Sequence, residues 1–204
     1  MRRELLELIV GMNNRNVELQ LALQCAPVIA GLKASNLLIL PRRELKQAEA
    51  ILDASALSYS TLCNSNEKNI ILVYEPSLLW NCLMKKRVRG FFRALGYEEW
   101  NLTEILQLLK EHFIAYKREE QAFPHEMGLL LGYPLSDVEA YIAKEGKDYL
   151  WNGYWKVYDD VERKKKLFAR FELAKISMLY LLIDGEDIVT IINSYNASLT
   201  IVAL

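Results

Sequence analysis

Leu57-Ser58-Tyr59-Ser60-Thr61-Leu62-Cys63-Asn64-Ser65-Asn66-Glu67-Lys68-Asn69-Ile70-Ile71-Leu72-Val73-Tyr74 decides the fold class of this chain. Two β-compatible runs, Leu57 to Cys63 and Asn69 to Tyr74, flank a polar stretch, and the pattern reads as a hairpin with a loop longer than the tight two-residue types. Ile70-Ile71-Leu72-Val73 has no polar face to offer water, so it predicts a central strand covered on both sides. Upstream, Asn36-Leu37-Leu38-Ile39-Leu40 reads as a further short buried strand. The surrounding segments are helical in spacing. The expected fold is therefore mixed α/β (α+β), helix-rich, with a small central sheet of about three to five strands covered by helices.

Working outward, Asn16 through Cys25 is helical in pattern, and Pro27 and Gly31 interrupt it. Pro41 opens a helix that runs with Leu45, Ala48, Ile51 and Leu52 to Ser55. Pro76 opens one long helix through Leu95, closed by Gly96, and Asn101 caps another from Leu102 to about Tyr116, both expected to cover the sheet. Pro124 starts a helix ending at Gly132. Ser136 and Glu139 have the spacing of a capping box for the next one, which stops before Gly146. Tyr149 to Tyr158, aromatic-rich with a central Gly153, predicts a hairpin or irregular ribbon. A last long helix covers about Asp160 to Ile183, Asp184-Gly185 turns the chain into another short helix, and the apolar tail Leu199 to Leu204 suits an added strand. Arg2 to Val10 carries an apolar stripe on a short amphipathic helix. Residues 1–16 thus read as an N-terminal extension and 17–204 as one domain, with a weak internal subdivision near 117–122.

Composition narrows the function classes. With 25 Lys and Arg against 26 Asp and Glu among 204 residues, the net charge of −1 gives no global electrostatic case for nucleic acid or an anionic membrane. No apolar run reaches the roughly 20 residues that cross a bilayer. The basic start Met1-Arg2-Arg3 lacks the features of a secretion signal, so a cytoplasmic location is expected. Cys25, Cys63 and Cys82 form no CxxC pair, and His112 and His125 are the whole histidine complement, so no metal site is encoded by spacing.

The Walker phosphate loop, the dinucleotide glycine fingerprint and the GxSxG elbow are all absent. His125-Glu126 has Leu129 four residues after the histidine, which rules out a helical zinc-protease motif. Pro124 to Lys144 has the layout of a helix-turn-helix, but its second helix offers Asp137 and Glu139 where a reader of DNA needs cations or amides; no nucleic-acid partner is expected. Two basic runs, Lys85 to Arg93 and Arg163 to Lys166, read as solvated helical faces before they read as anion sites.

The remaining polar groups yield the candidates. Cys25, beside Pro27, reads as a buried inert thiol unless Lys33 or His125 supplies a cation, in which case a Cys/His arrangement becomes available. The ribbon residues Tyr154, Trp155 and Lys156 suit a planar or anionic ligand. In strand alternation Trp151 and Trp155 share one face and Tyr154 and Tyr158 the other, so at least one face is expected in the core. His125 and Glu126 follow Pro124 directly, and adjacent helical residues point about 100° apart, so one of them must turn to a cleft or cap the helix.

Three phrases, Cys25-Ala26-Pro27-Val28-Ile29-Ala30-Gly31-Leu32-Lys33, Phe123-Pro124-His125-Glu126-Met127-Gly128 running into Leu131-Gly132-Tyr133-Pro134, and Gly153-Tyr154-Trp155-Lys156-Val157-Tyr158, occur in this order. Together they resemble the bacterial family labelled domain of unknown function 3793, found mainly in anaerobic Firmicutes, over roughly Val17 to Ile183. That resemblance implies no reaction; it implies which polar residues form the signature, and these include Glu126 and Tyr133. The expectation is thus a small-molecule-binding or enzymatic domain, with Cys25, His125 and Glu126 as catalytic candidates and Lys33, Tyr133, Tyr154, Trp155 and Lys156 as ligand-binding candidates. No cofactor, reaction or oligomeric state is legible. The competing class is an interaction module for a redox or iron-handling protein partner, which rests on the family's habitat, and a DNA-binding regulator stands behind it.

Overall fold

A computed structural model describes residues 16–202 and the side chains of 16–197. The chain divides into two compact units, one made of residues up to Glu75 together with those from Phe171 onward, the other of Pro76–Arg170. Residues 117–122 lie inside the second unit, and the helix expected over Arg2 to Val10 falls outside the described residues.

In the first unit, helices α1 (Asn16–Gln24) and α2 (Ala26–Ile29) lead to strand β1 (Ser35–Pro41). A 3-10 turn, Arg42–Glu44, and helix α3 (Leu45–Asp53) follow, then strands β2 (Ser58–Asn64) and β3 (Lys68–Tyr74). The sheet is antiparallel with order β1-β3-β2, so the apolar run Ile70 to Val73 is the central strand, as its lack of a polar face demands. Ile71 and Val73 enter the core with Leu38, Leu40, Leu52 and Ile191, while Ile70 and Leu72, on the opposite face, are buried too. Helices α1 and α2 pack on β1 and α3 packs on β2. The edge strand β1 is closed at Ile39 by a side chain: Gln24 donates to the Ile39 carbonyl at 3.1 Å and accepts from its N–H at 2.9 Å, which occupies edge groups that would otherwise invite another strand.

The second unit begins with α4 (Pro76–Leu83) and α5 (Lys86–Ala94), which replace the single helix expected over Pro76 to Leu95. The buried stripe of α4, Leu79 and Leu83, would continue onto Lys86, Arg87 and Gly90, whereas the apolar groups downstream are Val88, Phe91 and Phe92, of which Phe92 is buried. The chain therefore breaks at Lys85, whose backbone is extended, and restarts with a different face inward. Helix α6 (Leu102–Lys117) is capped by Asn101, which accepts from the Glu104 N–H at 2.9 Å. Next come α7 (Glu126–Leu130), α8 (Leu135–Ala143) and a two-stranded ribbon of β4 (Trp151–Asn152) and β5 (Lys156–Val157). The capping box expected from Ser136 and Glu139 does not form, because the helix starts two residues earlier, with Pro134 at the cap and Ser136 already inside.

Helix α9 (Val161–Ile183) gives its residues 161–170 to the second unit and the rest to the first. Gly185, at φ +94°, turns the chain into α10 (Ile188–Val202). The strand expected from Leu199 onward is overturned: the backbone stays helical through Val202. A short apolar run does not distinguish strand from helix by itself, and a helix already nucleated at Ile188 extends at one hydrogen bond per residue.

Among the described residues no helix is long and apolar enough to cross a membrane. At 58% helix, with a small three-stranded sheet and a two-stranded one, the protein is a helix-rich mixed α/β fold.

Candidate functional site

In the second unit a cavity of about 310 Å³ is walled largely by aromatic rings. Helix α7 and the residue before it supply His125, Met127 and Gly128; α8 supplies Asp137, Val138 and Tyr141; the ribbon supplies Asn152 to Lys156; Phe123 and Tyr133 come from the connections. Five sequence-derived candidates, His125, Tyr133, Tyr154, Trp155 and Lys156, thus line one space.

The ribbon is held by a single buried aromatic anchor. Trp151, Tyr154 and Trp155 all meet the Phe168 ring, at centroid distances of 5.3, 5.2 and 4.4 Å. This corrects the expected alternation: the chain reverses between Asn152 and Lys156, so Trp155 sits in the turn and not on a regular strand face. Gly153 permits the approach, since a Cβ there would stand 2.4 Å from Phe168 Cε2.

Trp155 is the best-fixed group in the wall. Tyr133 stacks on it at 4.8 Å, and its indole N–H donates to Asp137 Oδ2 at 2.8 Å. Asp137 Oδ1 accepts from the Tyr158 N–H at 2.9 Å, and Lys164 Nζ lies 3.3 Å from Asp137 Oδ2. Lys164 also donates to the Asp159 carbonyl at 2.8 Å and pairs with the Asp159 carboxylate. Asp137 is 2% exposed and Lys164 7%. The acidic face ascribed to this helix on sequence grounds is therefore wrong at Asp137, which serves the interior; Glu139 alone of the pair is exposed, and it meets Arg87 at 3.0 Å. Asp137 and Tyr141 are four residues apart, so both fall on the helical face turned to the cavity, and that spacing was the available signal for them.

Around His125 the rings of Phe123 and Tyr141 stand at 6.1 and 5.7 Å. Lys156 donates to the Gly146 carbonyl at 2.8 Å and lies 5.0 and 5.7 Å from the Tyr149 and Tyr141 rings, where the ring faces favour a cation. Burial pushes the Tyr133 hydroxyl above its ordinary pKa.

Glu126 points elsewhere. Its carboxylate meets His112 Nδ1 at 2.8 Å and accepts from the Tyr97 hydroxyl at 3.0 Å, and it makes no helix cap, the cap position being His125. The roughly 100° between adjacent helical residues is thus spent on sending His125 to the cavity and Glu126 into this buried group. Burial and the Glu126 charge push the Tyr97 phenol far above its usual range, so it stays a donor. His112, absent from the sequence-derived candidates, had no local motif to mark it.

Cys25 and Lys33 belong to the first unit. Burial pushes the Cys25 thiol up to about 12 and the Lys33 amine down to about 8. A thiol that stays protonated at neutral pH is a poor nucleophile. Lys33 donates to Asn36 Oδ1 at 2.7 Å, and Asn36 in turn donates to the Gln24 carbonyl. Among the described residues no group of three or more His, Cys, Asp or Glu side chains is placed to hold a metal ion.

The protein is thus a helix-rich α/β chain with an aromatic-walled cavity in its second unit. It belongs to the family described as protein of unknown function (DUF3793), whose model matches residues 21–192. No curated protein and no solved structure matches the chain.

Proposed function

We propose that the second unit binds a small planar molecule in the cavity between α7, α8 and the ribbon. The observation that carries this reading is the meeting of His125, Tyr133, Tyr154, Trp155 and Lys156 in one wall. Ligand sites run from about 300 to 1,000 Å³, so a volume of about 310 Å³ suits one ring or a fused pair. Flat aromatic walls give area at small entropic cost, and the clamp of Asp137 on Trp155 fixes the ring before a ligand arrives. His125 and Lys156 are the polar handles, and His125 can donate or accept a proton there, which leaves acid–base chemistry open to the same site.

Saturation-transfer NMR with a panel of planar heteroaromatic fragments tests the reading. Fragments should bind the wild type, and His125→Ala should weaken them at least tenfold while leaving the melting temperature nearly unchanged. Failure of every fragment to bind the wild type refutes the proposal. A large melting shift in His125→Ala would make that residue structural.

A further inference from the structure

A second cavity, of about 510 Å³, opens in the same unit and is lined by Pro134, Ser136, Trp155, Asp159, Asp160 and residues of α9. Its character is set by the basic run Arg163-Lys164-Lys165-Lys166 and by Arg170 one turn further along the same helix, whose cations take different places. Lys164 turns inward to Asp137 and Asp159, and Lys165 pairs with Glu162 at 3.0 Å. Arg163, Lys166 and Arg170, at helical spacings of three and four, line the cavity together with Lys164 but, unlike it, are exposed. None of these three makes an ion pair among the described residues.

We propose that this cavity binds a phosphorylated small molecule, with Arg163, Lys166 and Arg170 as its anion-binding residues. Two carboxylates, Asp159 and Asp160, share the lining; Lys164 is divided between Asp159 and the buried Asp137, and Arg163, Lys166 and Arg170 tip the balance of the wall to positive. Seven residues of helix separate Arg163 from Arg170, about 10 Å along the axis, so the row suits a ligand with more than one anionic group. Two guanidinium forks match phosphate oxygens in pairs, and Lys166 adds a point charge between them. Ser136 places a hydroxyl at the wall, in the first turn of α8, where that helix has no side-chain cap. In the other basic run Arg87 is held by Glu139 and Arg89 lies 5.0 Å from the Trp100 ring. This site does not depend on the aromatic cavity being a ligand site, although Trp155 borders both.

Isothermal titration of the full chain with inorganic pyrophosphate is the test, at constant ionic strength. The wild type should bind, and Arg163→Gln and Arg170→Gln should each weaken binding at least tenfold, whereas Lys86→Gln on the other basic run should leave it unchanged. All three positions are exposed, so melting curves should superimpose and fold loss is separable from site loss. Equal weakening by Lys86→Gln, or no binding by the wild type, overturns the proposal. So does competition in which single-stranded RNA displaces pyrophosphate and Lys86→Gln abolishes it, because the ligand class is then a polymer read by the whole surface. Retention of pyrophosphate binding by His125→Ala separates this site from the aromatic one.

Discussion

Lys33 in the first unit and Lys164 in the second are both almost fully buried, and they are buried on different terms. Lys164 ends among the carboxylates of Asp137 and Asp159, so its charge is matched and its N–H groups are used. Lys33 donates to the side-chain amide of Asn36, with the Phe171 ring 6.0 Å away, and burial lowers its pKa to about 8. The first arrangement is that of an organiser: it fixes Asp137, which fixes Trp155 and the ribbon backbone at Tyr158. In the second, burial disfavours the charged form of the amine. A buried lysine is therefore no single kind of evidence, and its partners decide what it does.

Breaking the Lys164 arrangement should have the largest effect. Asp137→Ala removes the acceptor of Trp155 and Tyr158 and one carboxylate facing Lys164, and the loss from breaking a buried pair of this kind is about 3–5 kcal/mol. Chemical denaturation checks the value. The same variant should lose fragment binding in the aromatic cavity, since Trp155 is no longer held. A loss under 1 kcal/mol would mean that Asp159 alone satisfies Lys164.

Lys33 should behave in the opposite sense. Its folded pKa, about 8, lies below the unfolded value near 10.5, so below pH 8 the native state carries the full penalty of a buried charge. Between those values the unfolded chain holds the proton and the native protein has shed it, and native stability rises with pH. Lys33→Met should therefore stabilise the protein at pH 7 by on the order of 2 kcal/mol, with the advantage shrinking as pH rises through 8. Cys25 works the other way, because a thiol raised to about 12 stays protonated while the unfolded chain ionises from about 9, and stability falls there. Comparing variant and wild type between pH 7 and 9 isolates the lysine. A difference independent of pH would show that Lys33 gains or loses by packing alone.

A smaller effect sets the scale for both. Asn101 caps α6 at the surface with one hydrogen bond to the Glu104 N–H, and Asn101→Ala should cost about 1 kcal/mol at every pH from 6 to 9. A thermal melt of the variant checks it, and a pH-dependent cost would bring the Glu104 charge into the cap.

Local grammar alone placed the three strands of the sheet and the centrality of Ile70 to Val73, because there a short β-branched apolar run is bounded by the turn residues Asn64 to Lys68 and Pro76, whereas the apolar tail from Leu199 has no such boundary before it. It likewise marked the Asn101 cap, the ribbon around Gly153 and the resemblance to the family whose model matches residues 21–192. What it could not fix was anything that depends on which side chains meet. Asp137 looks like any exposed helical carboxylate until Trp155, 18 residues on, donates to it. His112 acquires a role only when Glu126 arrives beside it, and in the run from Arg163 to Lys166 it is the packing of the ribbon and α8 against α9 that buries Lys164 and leaves Arg163 and Lys166 exposed at the cavity wall. Periodicity reports whether a residue suits an interior, which is a local property of the chain; partnership between buried charges is decided by contacts across many residues, and those exist only in the folded molecule.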